Sequence, residues 1–257
     1  MSGRVMKRSR GMVIPVAPVR VIGYNPSMTS RYLPCGWRAF EGPLLVLVWG
    51  MALGVLLWGT GVDVAIQVWL DRNYNQNFNT SMRVLGQLGK GSLQITLCVA
   101  IGALWAVYNW KNRKVGCRIV SHVLMAIPVF ALAGAINWVL KWAIGRGRPK
   151  EFLWNGHSPY AMNPFEMTSQ WWSFPSGHSC STFAIAVWLG LAFPRFRWVF
   201  WVAATMLSFS RFLSLTPHYL GDVVAGAAIG ASTAWACWIL STRRYPRKQK
   251  EGVSYGD

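Results

Sequence analysis

Acidic side chains are scarce in this chain. Eight Asp and Glu stand against 26 Lys and Arg in 257 residues, a formal charge of +18. The carboxylates form no cluster that would cage a divalent ion, and there is no Walker-type phosphate loop. No metal and no cofactor is therefore expected. Charge of either sign makes up only 13% of the chain, where a soluble domain carries about 25%. The five cysteines, Cys35, Cys98, Cys117, Cys180 and Cys237, form no C-x-x-C pair and no zinc spacing. They read as small apolar filler. Residues 1–42 have no apolar core of signal-peptide length, so they are expected to be a basic, flexible cytosolic tail. Neither an internal repeat nor a low-complexity segment is present.

What the chain has in abundance is apolar length. Uncharged or nearly uncharged runs lie at about 43–62, 91–110, 119–140, 177–194, 198–215 and 219–241. A spanning helix needs about 20 residues, and the first three runs reach that without Asp, Glu, Lys or Arg. Barrel strands alternate, whereas these runs are continuous. The expected fold is all-α: a bundle of six transmembrane helices over 43–242, with basic tails at 1–42 and 243–257. Sixteen Trp fit membrane interfaces. Between the first two runs, residues 63–90 carry helical spacing and predict a short interfacial helix. The polar loop 150–174 is placed to cap a lipid's entry path. The basic residues cluster between apolar runs, which argues against nucleic acid as a partner. Membrane lipids are the expected partners; the oligomeric state is left open.

Those basic residues also orient the bundle. Eighteen Lys and Arg fall on the side of the two termini and eight on the other. The positive-inside rule puts both termini in the cytosol, most simply across a bacterial inner membrane. The connections 141–176 and 211–218 then share the non-cytosolic, periplasmic face.

Three polar blocks lie on that face. The first is Lys141 with Arg148-Pro149, the second Pro175-Ser176-Gly177-His178, the third Ser210-Arg211 with His218 and Asp222. Ionisable groups beside a bilayer are expensive and mark function. Arg148 suits bidentate phosphate contacts. Gly145 and Gly147 are expected to break the helix after Lys141 and swing Arg148 inward. Ser176 is a natural cap, Gly177 permits close backbone approach, and the helix start there is an anion site. Thr216 and Pro217 predict a second helix start, with His218 in its first turn and Asp222 four residues on. A carboxylate there can accept a hydrogen bond from one imidazole N–H, which fixes the tautomer and leaves the other nitrogen as a nucleophile. Arg146 and Lys150 read as snorkelling side chains at a helix end. His122 and His157 read as structural.

In these blocks the chain resembles the type-2 phosphatidic acid phosphatase superfamily, relatives of the vanadium-dependent haloperoxidases. The family pattern is K-x6-R-P, P-S-G-H and S-R-x5-H-x3-D. Six residues rather than five separate Arg211 from His218. The resemblance implies a metal-independent membrane phosphatase for a lipid phosphate: isoprenyl pyrophosphate, phosphatidic acid, phosphatidylglycerophosphate or a lipid A phosphate. It implies His218 as nucleophile forming a phosphohistidine, Asp222 as its orienter, and His178 as acid and then base. Lys141, Arg148, Arg211 and the Ser176 and Gly177 N–H groups would hold the phosphoryl oxygens. Phosphoryl transfer to a second lipid is the alternative acceptor chemistry. A transporter of anions or lipids is the reading from another class, disfavoured by the missing repeat and the one-sided placement.

Overall fold

The computed structural model describes residues 36–108, 113–215 and 217–243. Most of the two expected basic tails, Cys35 and the expected cap Thr216 lie outside the described residues. The described residues are helical with no strand, apart from one isolated antiparallel bridge between Arg146 and Met162. A 3-10 turn, Gly36–Phe40, leads into α1 (Glu41–Gly59), α2 (Val62–Arg72), α3 (Gln76–Gln87), α4 (Gly91–Tyr108) and α5 (Arg113–Ile144). There follow α6 (Pro149–Leu153), α7 (Gly177–Ala192), α8 (Arg197–Leu213) and α9 (Leu220–Arg243).

Four of these helices carry stretches long and apolar enough to cross a membrane: Arg38–Gly59, Gly91–Tyr108, Val120–Ile144 and Leu220–Thr242. The protein is thus a multi-pass membrane protein by the length and composition of its helices. The other two expected spans are shorter. α7 has 16 residues and α8 has 17, about 24–26 Å of helix against a hydrocarbon core of about 30 Å.

Packing sorts the helices into inner and outer. α9 lies against α7, α1 and α5, and α7 against α8 and α5. The core joins Ala126, Val129 and Ala133 of α5 to Cys180, Ala184 and Trp188 of α7 and Ile229 and Ala234 of α9. Small residues dominate because lipid tails are as apolar as Leu, so backbones must approach closely to gain contact. Gly226 and Gly230 of α9 do this: a Cβ at either would overlap the backbone of Ser176 or Cys180. Over half of the α9 span is buried inside the protein, against 6% for the α4 span. α4 and α1 therefore present apolar surface to lipid.

The 63–90 segment differs from expectation. It forms two helices, not one, and α2 is no purely interfacial element. Its Asp63 and Gln67 are fully buried, because both reach partners in the chain that leads into α9. α3 begins at an Asn75 cap, whose Oδ1 accepts from the Phe78 N–H at 3.0 Å, and packs on α8.

Gly230→Ala should cost about 1–3 kcal/mol by forcing α9 off α7. Gly59→Ala, where a Cβ meets nothing within 4 Å, should stay within about 0.5 kcal/mol. Thermal unfolding of the two variants in detergent checks the contrast.

Candidate active site

The helix carrying Lys141 stops at Ile144, and Gly145 takes the left-handed conformation (φ 63) that closes it, its N–H donating to the Lys141 carbonyl at 2.9 Å. The chain from 145 to 148 then runs extended and is laced to the following loop. Asn163 N–H donates to Gly145 O at 2.8 Å, Arg148 N–H to Gln170 O at 3.0 Å, and Ser173 N–H to Arg146 O at 3.0 Å. Pro149 opens α6, where its missing N–H is no loss.

Ser176 caps α7 as expected, its Oγ accepting from the Ser179 N–H. Its own N–H, however, donates to the Asp222 carbonyl at 2.8 Å. That N–H is committed to the protein, which corrects the expectation that it faces a phosphate. Gly177 and His178 start the helix, and both line a cavity of about 320 Å³ with Asn137, Lys141 and Trp172. Lys141 Nζ donates to Trp172 O at 2.6 Å. Among the described residues the buried Nε2 of His178 has no hydrogen-bond partner.

Arg148 and Arg211 meet at a second cavity of about 220 Å³, and the Nε atoms of both lack partners among the described residues. The longer Arg211-to-His218 connection turns with buried Leu215 in the left-handed region (φ 68). Arg211 still reaches the Arg148 cavity. The turn after α3 runs beside both cavities. A Cβ on Gly86 would stand 2.7 Å from Arg211 Cδ, and one on Gly89 would be 3.7 Å from His178 Cδ2.

His218 precedes α9 rather than lying inside its first turn, since the helix begins at Leu220. Asp222 instead accepts the Tyr219 N–H at 2.9 Å, capping the helix from within. His218 is 3% exposed. Its Nδ1 is 2.9 Å from Ser173 O and 3.6 Å from Asp222 Oδ2. A carbonyl only accepts, so Nδ1 carries the proton and Nε2 keeps its lone pair. The orienting contact, assigned from sequence to Asp222, is thus shared: Ser173 O receives the bond and Asp222 supplies charge. Ser173 couples the two, its Oγ donating to Asp222 Oδ2 at 2.5 Å. Burial pushes the imidazole well down, to about 3, with the Asp222 carboxylate opposing and Lys141 and Arg148 adding to the push. The nucleophile candidate is therefore neutral, and it lies within the field of cations from both cavities.

The largest departure from expectation is Arg146. It does not snorkel: it is 0% exposed. Its Nη1 donates to Asp222 Oδ1 at 2.7 Å and to Asp63 Oδ2 at 3.0 Å. Its guanidinium lies 4.5 Å from the Trp58 ring and 4.0 Å from that of Tyr219. Asp63 Oδ1 also accepts the Gly221 N–H at 2.8 Å, and Gln67 Nε2 donates to His218 O at 3.1 Å. α2 thus grips the 218–222 segment through two side chains one helical turn apart. Asp63, Gln67, Ser173 and Arg146 were missed as site residues. The available signal was the scarcity of acids: a lone Asp beside an apolar run needs a cation.

Lys150 does remain near the surface, 42% exposed and 3.3 Å from Glu151. His122 stacks on Trp238, and His157 packs edge-on to Trp171; both fit structural roles. Ser210 Oγ donates to Leu207 O at 2.7 Å, a bond internal to α8. Among the described residues no group of His, Cys, Asp and Glu is arranged to hold a metal ion.

Residues 122–246 match the model of the PAP2 superfamily. This chain resembles that superfamily. The PAP2 segment holds every block described above, from Lys141 to Asp222, while the α2 grip comes from outside it. The chain is 29% identical over 208 residues to a lipid A 1-phosphatase of Rhizobium etli, covering 77% of this chain and 82% of that protein. It is 27% identical to an undecaprenyl-diphosphatase of Sulfolobus acidocaldarius, covering 73% and 84%. The crystal structure of a transmembrane PAP2-type phosphatidylglycerolphosphate phosphatase from Bacillus subtilis superposes with a TM-score of 0.58 at 23% identity, covering 80% of this chain and 98% of that one. That likeness establishes the PAP2 fold.

Two outcomes follow. Arg146→Met should lower stability by about 3–5 kcal/mol, because it strands two buried carboxylates. Lys150→Met should cost less, about 1–2 kcal/mol, because the Lys150 end of its pair with buried Glu151 is half in solvent; thermal unfolding reads both. The His218 ring should show no titration between about pH 5 and 8 in nitrogen NMR, with His218→Ala assigning the signal. A transition near the ordinary 6.5 would contradict the buried neutral tautomer.

Proposed function

We propose that this protein is an integral membrane lipid phosphatase that hydrolyses a lipid phosphomonoester or diphosphate through a phosphohistidine on His218. One observation carries the reading. A buried neutral imidazole has one nitrogen fixed by Ser173 and Asp222, and it stands in the field of Lys141 and Arg148. Such a group is a nucleophile aimed at an anion. The chain's similarity to named lipid phosphatases supports the same class.

In this mechanism His218 Nε2 attacks phosphorus, and the P–O bond to the lipid breaks. His178 gives its proton to the leaving oxygen. Water then attacks the phosphohistidine while His178 takes the water's proton, the P–N bond breaks, and phosphate leaves. Asp222 stabilises the charge that develops on the His218 ring. Lys141, Arg148, Arg211 and the Gly177 N–H hold the non-bridging oxygens, worth most where water is excluded. Ser176 acts by capping α7. The Lys and Arg distribution supports six spans, with short α7 and α8 completing the bundle, both termini cytosolic and the site on the periplasmic face of an inner membrane.

The test is phosphate release from a panel of lipid phosphates in detergent with chelator present. Release should survive chelation, and His218→Ala should reduce it by at least about 1,000-fold, the scale of losing a catalytic nucleophile. Unchanged release in His218→Ala would sink the assignment. A newly phosphorylated lipid in place of free phosphate would move the reaction to transfer.

A further inference from the structure

Two cations that belong to none of the three blocks face the Arg148–Arg211 cavity. Arg83 comes from α3 and Lys150 from α6, with Gln87 beside them. Arg83 is exposed, and it lies one turn before Gly86, whose close approach to the Arg211 side chain fixes α3 against α8. Arg83, Arg148 and Arg211 have no ion pair among the described residues; Lys150 has one, with Glu151. Among the described residues no carboxylate lines the cavity. Like charges gathered in one cavity repel, and a bound anion relieves the repulsion.

We infer that Arg83 and Lys150 form a second anion subsite at the rim of this cavity, and that the preferred substrate is a lipid diphosphate. The inference rests on the phosphatase reading above. The arrangement is graded: half-buried Arg148 and Arg211 lie on the inner side, and exposed Arg83 and half-exposed Lys150 on the outer. A phosphomonoester brings about two negative charges and a diphosphate about three. The inner arginines with Lys141 suffice for the first. Arg83 is in surplus, with Lys150 beside it only partly met by Glu151, unless a second phosphoryl group sits beside the scissile one. The cavity's volume of about 220 Å³ exceeds what a single five-atom phosphoryl group fills. The guanidinium of Arg83 offers the planar fork that phosphate oxygens take in bidentate fashion.

The experiment compares kcat/KM for two lipids with the same prenyl tail, one a monophosphate and one a diphosphate. Wild-type protein, Arg83→Gln and Arg83→Gln/Lys150→Gln are assayed side by side. The wild type should favour the diphosphate, and Arg83→Gln should shrink the diphosphate-to-monophosphate ratio roughly tenfold or more, the size of one charge-assisted hydrogen bond. The loss should fall mainly on KM, and the double variant should lose more. An unchanged ratio, or equal losses on both lipids, would overturn the subsite while leaving the phosphatase reading intact. A wild type inert on both lipids but active on another lipid phosphate would overturn the diphosphate preference alone; one inert on every lipid phosphate would overturn the phosphatase reading as well.

Discussion

One buried guanidinium organises this molecule. Arg146 has no access to solvent, so its charge must be met inside the protein or the fold carries a desolvation penalty of several kcal/mol. It is met by Asp63 of α2 and Asp222 of α9, and its faces are covered by Trp58 of α1 and Tyr219. Three separate stretches of chain, around 58–63, 146 and 219–222, thereby converge on one point. Replacing such a cluster with apolar residues can be neutral or stabilising in other proteins, so stability alone does not account for it. What it fixes is position: the carboxylate beside His218 has one place to be.

From that point the site follows outward. Asp222 caps the start of α9 through the Tyr219 N–H and receives Ser173 Oγ. Ser173 O holds the His218 ring, and Gln67 holds the His218 carbonyl. The nucleophile candidate is thus fixed at ring and backbone by two separate parts of the chain. The proposed phosphate ligands, Lys141, Arg148, Arg211 and the Gly177 N–H, sit on helix ends and on the 145–148 stretch, which the 158–173 loop braces. Preorganisation of this kind is what electrostatic catalysis requires, because donors already in place need no reorganisation as charge develops.

The blocks were legible in the sequence because each is local. Lys141 with Arg148, Pro175 to His178, and His218 with Asp222 are read within a few residues of one another. The helix break at Gly145 and the cap at Ser176 were legible for the same reason. Arg146 was not, since its partners lie 83 and 76 residues away; a cation at a helix end looks the same whether it snorkels or turns inward. The commitment of the Ser176 N–H to Asp222 O is likewise a long-range fact. Helix count was half legible. The long apolar runs became the four clear spans, but the lengths of α7 and α8 are set by the turns around Phe193 and Ser214 rather than by hydropathy.

The central claim is that phosphorus becomes bonded to His218. The direct measurement is to mix the protein with a lipid phosphate labelled in the scissile phosphoryl group, quench in alkali within the first turnover, and map the label by peptide mass spectrometry. The account predicts an alkali-stable, acid-labile phosphoryl group on the peptide containing His218, and none in His218→Ala. Hydrolysis proceeding at full rate with no label on the protein, or label on a residue other than His218, would contradict it.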